Sequence, residues 1–104
     1  MEISPEEVGA LIQNGNAPKL LDIREPAEWD VVHLEGARLI TQELVDEILS
    51  GWEKDTPIIC YCHHGVRSLQ ATAFLRQQGF TNVLSMRGGI NAYAQVVDPS
   101  LPRY

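Results

Sequence analysis

At 104 residues the chain has the size of one domain. Its 44% hydrophobic and 21% charged residues are ordinary for a soluble globular protein rather than a disordered or fibrous one. A formal charge of −6 excludes nucleic acid and anionic membrane as general partners, because either would repel it. No apolar run approaches the ~20 residues of a membrane span. The acidic start, Met1 to Glu7, lacks the apolar core of a secretion signal, so a cytoplasmic setting with reduced thiols is expected.

In chain order, Met1 to Ile3 reads as a short edge strand. Ser4-Pro5-Glu6-Glu7 is a capping box with proline at the first helical position. Val8, Leu11 and Ile12 follow at i, i+3, i+4, so a helix is predicted to about Asn14, ended by Gly15-Asn16-Ala17-Pro18. Leu20-Leu21-Asp22-Ile23 is a buried strand with an acid at its end. Pro26 starts a short helix, and Asp22, Arg24 and Glu28 form either an ion-pair network or a solvated charged loop. His33 is expected to be a hydrogen-bonded structural residue in the connection to a strand at Arg38-Leu39-Ile40. Thr41 caps a helix from Gln42 to Ser50 that buries Leu44, Val45, Ile48 and Leu49, with Gly51 at its end.

Ile58-Ile59-Cys60-Tyr61 is an apolar strand, and Cys62-His63-His64-Gly65-Val66-Arg67-Ser68 a tight loop after it. The amphipathic run Leu69 to Gln78 is predicted as a helix burying Ala71, Phe74 and Leu75. Asn82 to Met86 is a last strand, and Gly88-Gly89 opens a last helix, Ile90 to about Val96. The tail 97–104 is predicted to be extended. Short buried strands alternating with amphipathic helices predict an α/β fold, a small parallel sheet of about five strands with helices on both faces. Ligands of such sheets bind beyond the carboxyl ends of the strands, where Cys62, the Arg24 loop and the Arg87-Gly88-Gly89 turn should share one rim.

Cys62 is the candidate nucleophile. N–H groups of the loop and first helical turn can converge on its sulfur, with the positive helix end and the Arg67 charge favouring thiolate. Gly65 lets the loop turn. Cys60 is read as core packing. Two residues apart on a strand, the two cysteines have Cα atoms roughly 6.5–7 Å apart, at the edge of what a disulfide spans. Cys60, Cys62, His63 and His64 supply soft ligands, but no second cluster completes a tetrahedral site, so no metal is assigned.

Four stretches together resemble a single-domain rhodanese. They are Leu21-Asp22-Ile23-Arg24-Glu25-Pro26-x-Glu28, His33-Leu34-Glu35-Gly36-Ala37, Cys62 through Ser68, and Gly79-Phe80-Thr81-Asn82-Val83 with Gly88-Gly89-Ile90-x-Ala92-Tyr93. The family often has glycine at the position of Val32, proline at Glu35 and tryptophan at Tyr93; these departures frame the fold and leave the loop intact. The ending Val97 to Tyr104 is similar to that of rhodanese domains fused to ubiquitin-activating-like adenylyltransferases, which supply sulfur to carrier proteins. The resemblance implies a sulfurtransferase of the thiosulfate:cyanide class that works through a Cys62 persulfide and needs no cofactor. It implies a small donor such as thiosulfate, and a protein donor or acceptor is a further partner to consider. The loop N–H groups from His63 to Ser68, among them those of Gly65 and Val66, would hold the sulfur, and Arg67 the anionic end of the donor. His63 and His64 either contact donor or acceptor or serve only through their backbone N–H groups. Two alternatives stand beside this one. A phosphatase or arsenate reductase of the same fold has five residues between cysteine and arginine, whereas four lie between Cys62 and Arg67. A persulfide-carrying or regulatory interaction module is the other.

Overall fold

The computed structural model describes residues 1–15 and 18–103. The predicted stop at Asn16-Ala17 and the final Tyr104 lie outside the described residues. The elements run β1 (Glu2–Ile3), α1 (Pro5–Gln13), β2 (Lys19–Asp22), α2 (Pro26–Val31), β3 (Ala37–Leu39), α3 (Gln42–Gly51), β4 (Ile58–Tyr61), α4 (Val66–Gln77), β5 (Val83–Met86) and α5 (Gly89–Val96). The strands form one sheet in the order β1-β5-β4-β2-β3, and every pairing is parallel. Among the described residues no helix is long and apolar enough to cross a membrane.

Side chains on a strand alternate between faces, and β4 shows why it must lie at the centre. Ile59 and Tyr61 join the cluster that holds Val8 of α1 and Ile90 and Tyr93 of α5. Ile58 and Cys60 join the opposite cluster, with Leu44 and Ile48 of α3 and Leu75 of α4. Full burial of each large apolar side chain contributes roughly 1.5–3 kcal/mol, which requires helices on both faces.

The caps are those the sequence predicts. Ser4 Oγ accepts from the Glu7 N–H at 3.1 Å, and Thr41 Oγ1 from the Leu44 N–H at 3.1 Å. His33 is structural: its Nδ1 lies 2.9 Å from the Trp29 carbonyl oxygen and its ring stacks on the Trp29 ring at 3.6 Å.

Two expectations need correction. Helix α4 begins at Val66, and its buried line is Ser68, Thr72 and Leu75, with Ala71 half-buried and Phe74 43% exposed. Small side chains face the sheet here because the first turn of α4 comes close to the end of β4. The tail does not run extended throughout. Leu101 N–H donates to the Asp98 carbonyl in a turn, and Leu101 packs back on the core.

Candidate active site

The buried strand β4 ends at Tyr61, and Cys62 follows it with only 1% of its surface exposed. The loop then reverses through Gly65 at φ 104°, a left-handed conformation that glycine adopts without strain. This turn brings the Gly65 N–H to 3.1 Å and the Ser68 N–H to 3.4 Å from Cys62 Sγ. Ser68 Oγ lies 3.4 Å from the same sulfur. The thiol can donate to that hydroxyl; once ionised, the sulfur accepts from it. Behind Ser68, at 2.8 Å, stands the Ser85 hydroxyl of β5, and both serines are fully buried.

The loop carbonyls are held away from the sulfur. The N–H groups of Ile90 and Asn91, in the first turn of α5, donate to the carbonyls of Cys62 and His63 at 2.8 and 3.1 Å. Donors that a helix start leaves unpaired are thus satisfied by the active loop, while the N–H groups of Gly65 and Ser68 face Sγ. The contact requires Gly89, which has φ +64°: a Cβ there would lie 2.3 Å from both of those carbonyl oxygens.

Burial alone would push the Cys62 thiol up. The Ser68 hydroxyl and the N–H groups of Ser68, Gly65 and Arg67 outweigh it, and the thiol titrates below its ordinary value. Cys60, two residues earlier, is pushed up to about 12 by burial, despite a hydrogen bond with Thr72. Both cysteines are free thiols. Burial thus favours the neutral thiol at Cys60, while the donors around Cys62 favour its thiolate.

Arg67 supplies its backbone N–H to this cluster, but its guanidinium goes elsewhere. Nη1 and Nη2 donate to Glu28 Oε1 and Oε2 at 2.8 and 3.2 Å. The predicted network around Asp22 thus divides. Asp22 and Arg24 form a wholly buried pair at 2.6 Å, and Arg24 also donates to the Val32 carbonyl just past α2. That pair fixes α2, and α2 carries Glu28 to Arg67.

His63 is half-buried and meets the exposed His64 edge to face at 4.1 Å. Burial and His64 lower the His63 titration, opposed by Glu28. Val66 is 67% exposed and, with His64, Leu69 and Met1, lines an open groove beside the loop. A cleft of about 380 Å³ lined by Lys19, Trp52 and Pro57 touches none of these loop residues. Among the described residues no three His, Cys, Asp or Glu side chains are grouped to hold a metal ion.

Cys62, Gly65 and Ser68 were predicted site residues and converge. Ser85, Gly89 as a docking position, and Glu28 as the partner of Arg67 lie beyond what the sequence alone indicates. A lone serine in the apolar run Val83 to Met86 was the available signal for Ser85; none marked Glu28 as a partner for a residue 39 positions away.

The rhodanese-like domain family model matches residues 4–96. A probable adenylyltransferase/sulfurtransferase MoeZ of Mycobacterium tuberculosis is 36% identical over 98% of this chain, which spans 26% of that protein's length. Two thiosulfate sulfurtransferases GlpE are similar over most of their own length. That of Pseudomonas aeruginosa is 36% identical over 90% of this chain and 84% of its own. That of Actinobacillus succinogenes is 34% identical over 99% and 92%. Among solved structures, SSP1007 of Staphylococcus saprophyticus superposes with a TM-score of 0.78 at 25% identity, covering 99% of this chain and all of that one. By sequence, and with the five-stranded parallel sheet its structural neighbours share, this chain belongs to the rhodanese-like domain family.

Proposed function

We propose that this chain is a sulfurtransferase, acting as a single domain, in which Cys62 carries sulfane sulfur as a persulfide. The observation that carries this is the convergence of the Gly65 and Ser68 N–H groups and the Ser68 hydroxyl on one buried sulfur. Such a ring stabilises a thiolate without a full positive charge against it. The Cys62 thiolate attacks the outer sulfur of a donor such as thiosulfate. The donor S–S bond breaks, and its electron pair leaves with sulfite. Cys62 then bears a persulfide whose outer sulfur lies within the same donor field. A thiophilic acceptor attacks that sulfur, and Cys62 departs as thiolate, ready for another donor.

The four-residue span from Cys62 to Arg67 supports sulfur over phosphate, because a shorter loop makes a smaller cradle. The names of the GlpE relatives support thiosulfate as a donor, and the MoeZ relative supports delivery to a protein acceptor. Free thiols at both cysteines suit a reducing, cytoplasmic setting.

Turnover of thiosulfate and cyanide to thiocyanate tests the assignment. Cys62→Ser should abolish it with the fold intact, and Cys60→Ser should retain most of it. A dead Cys60 variant with a fully active Cys62 variant would overturn the assignment. Rapid hydrolysis of aryl phosphates without thiocyanate formation would put the phosphatase alternative in its place.

A further inference from the structure

Arg67 stands in the first turn of α4, beside the Ser68 N–H that faces the nucleophile. A guanidinium there would ordinarily draw anions toward Cys62. Both of its prongs instead meet the Glu28 carboxylate, in the two-pronged geometry that suits arginine and carboxylate best. Glu28 is not a loose surface acid. Its side chain is 20% exposed, and Oε1 also accepts the Glu25 N–H at 3.0 Å. The buried Asp22–Arg24 pair anchors the helix that carries it. Its charge reaches the loop, where it opposes the effects of burial and His64 on His63.

We infer that Glu28 is a specificity-determining residue: paired with Arg67, it offsets the guanidinium charge that would otherwise draw anions toward Cys62, so the site favours donors with little charge at the sulfur over dianionic ones such as free thiosulfate. This rests on Cys62 being the nucleophile. The donor class that fits is a hydropersulfide on a small thiol or a protein, reacting in its protonated form R–S–SH, whose outer sulfur is electrophilic. The Cys62 thiolate attacks the outer sulfur and forms the new S–S bond with its own electron pair. The donor S–S bond breaks, R–S⁻ leaves with that bonding pair, and Cys62–S–SH remains. Atoms and charge balance with no outside oxidant.

The test compares two alkylating reagents on the full chain, anionic iodoacetate and uncharged iodoacetamide. Their rate ratio at Cys62 cancels any change in thiolate population. Glu28→Gln keeps an oxygen for the Glu25 N–H and removes the charge. Removing a unit charge that reaches the loop, at a surface dielectric, should raise the iodoacetate-to-iodoacetamide ratio on the order of three- to tenfold. The gain should shrink with added salt. Thiosulfate kcat/KM should rise by at least as much. Arg67→Ala approaches from the other side and strands the carboxylate beside the loop, so it should push the ratio below that of the parent. Rapid reaction with both reagents and ratios within twofold of the parent in both variants would overturn the role of Glu28 alone. A parent Cys62 that reacts no faster than an ordinary thiol with either reagent would remove the nucleophile assignment and this inference with it.

Discussion

Ser68→Ala is the sharpest perturbation of the sulfur's electrostatics, because it deletes a hydroxyl 3.4 Å from Sγ and leaves the Ser68 backbone N–H in place. A hydrogen bond to a charged group contributes roughly 1.5–3 kcal/mol. The length of this contact and the diffuse charge of sulfur place it at the lower end. About 1.4 kcal/mol is a factor of ten, so in the range where thiol predominates the thiolate fraction should fall about tenfold. Ser85→Ala acts one step back. The Ser85 hydroxyl, 2.8 Å from Ser68 Oγ, can donate to it while Ser68 donates to the sulfur, so its removal should shift reactivity in the same direction by less. The assay is the second-order rate of iodoacetamide alkylation against pH. Cys60, pushed up to about 12 by burial, stays silent while Cys62 reports. The other ionisable groups around the loop, His63, His64, Arg67 and Glu28, are unchanged in both variants. Folded Ser68→Ala with the low-pH rates of the parent would refute the hydroxyl's role. A larger effect from Ser85→Ala than from Ser68→Ala would show that packing, not donation, governs the site.

Gly89→Ala places a Cβ 2.3 Å from the carbonyls of Cys62 and His63 at φ +64°, where backbone must move. It should destabilise the fold by on the order of 1–3 kcal/mol from the left-handed strain alone and lower sulfur transfer more than tenfold, read by urea unfolding and turnover. Arg24→Ala strands the buried Asp22 carboxylate, and breaking such a pair costs roughly 3–5 kcal/mol; a urea midpoint equal to that of the parent would contradict it. The Cys60 thiol titrates higher in the fold, about 12, than its ordinary value of 9.0. The fold therefore favours its neutral form, a contribution complete below the ordinary value and lost as pH rises toward the folded one. Between those limits the parent should lose stability more steeply than Cys60→Ala, whatever the absolute cost of the substitution.

Features set by neighbours in sequence were legible from it. Ser4 and Thr41 announce helices because a short polar side chain pairs with N–H groups three residues on. Four buried residues in a row at Ile58 to Tyr61 announce a central parallel strand. A cysteine between that strand and a glycine turn announces a sulfur facing backbone donors. Features set across the sheet were not. Phe74 fits a helical apolar stripe, yet α4 packs through Ser68 and Thr72 because their small side chains let the helix approach the cysteine strand. Glu28 has helix capping as a local role, which masks its long-range one with Arg67. The glycines before α5 signal a turn, but only the fold reveals that the helix start grips the carbonyls of the active loop.

The most direct measurement of the central claim is mass spectrometry of the Cys62 peptide after incubation with a sulfur donor and then with cyanide. Thiosulfate serves as the donor at high concentration, and a hydropersulfide serves as the comparison that lacks the sulfonate charge. The account predicts the gain of one sulfur atom on Cys62 and none on Cys60. On addition of cyanide that sulfur should be lost, with one thiocyanate released for each persulfide. Absence of any sulfur adduct on Cys62 with either donor, in folded and reduced protein, would contradict it.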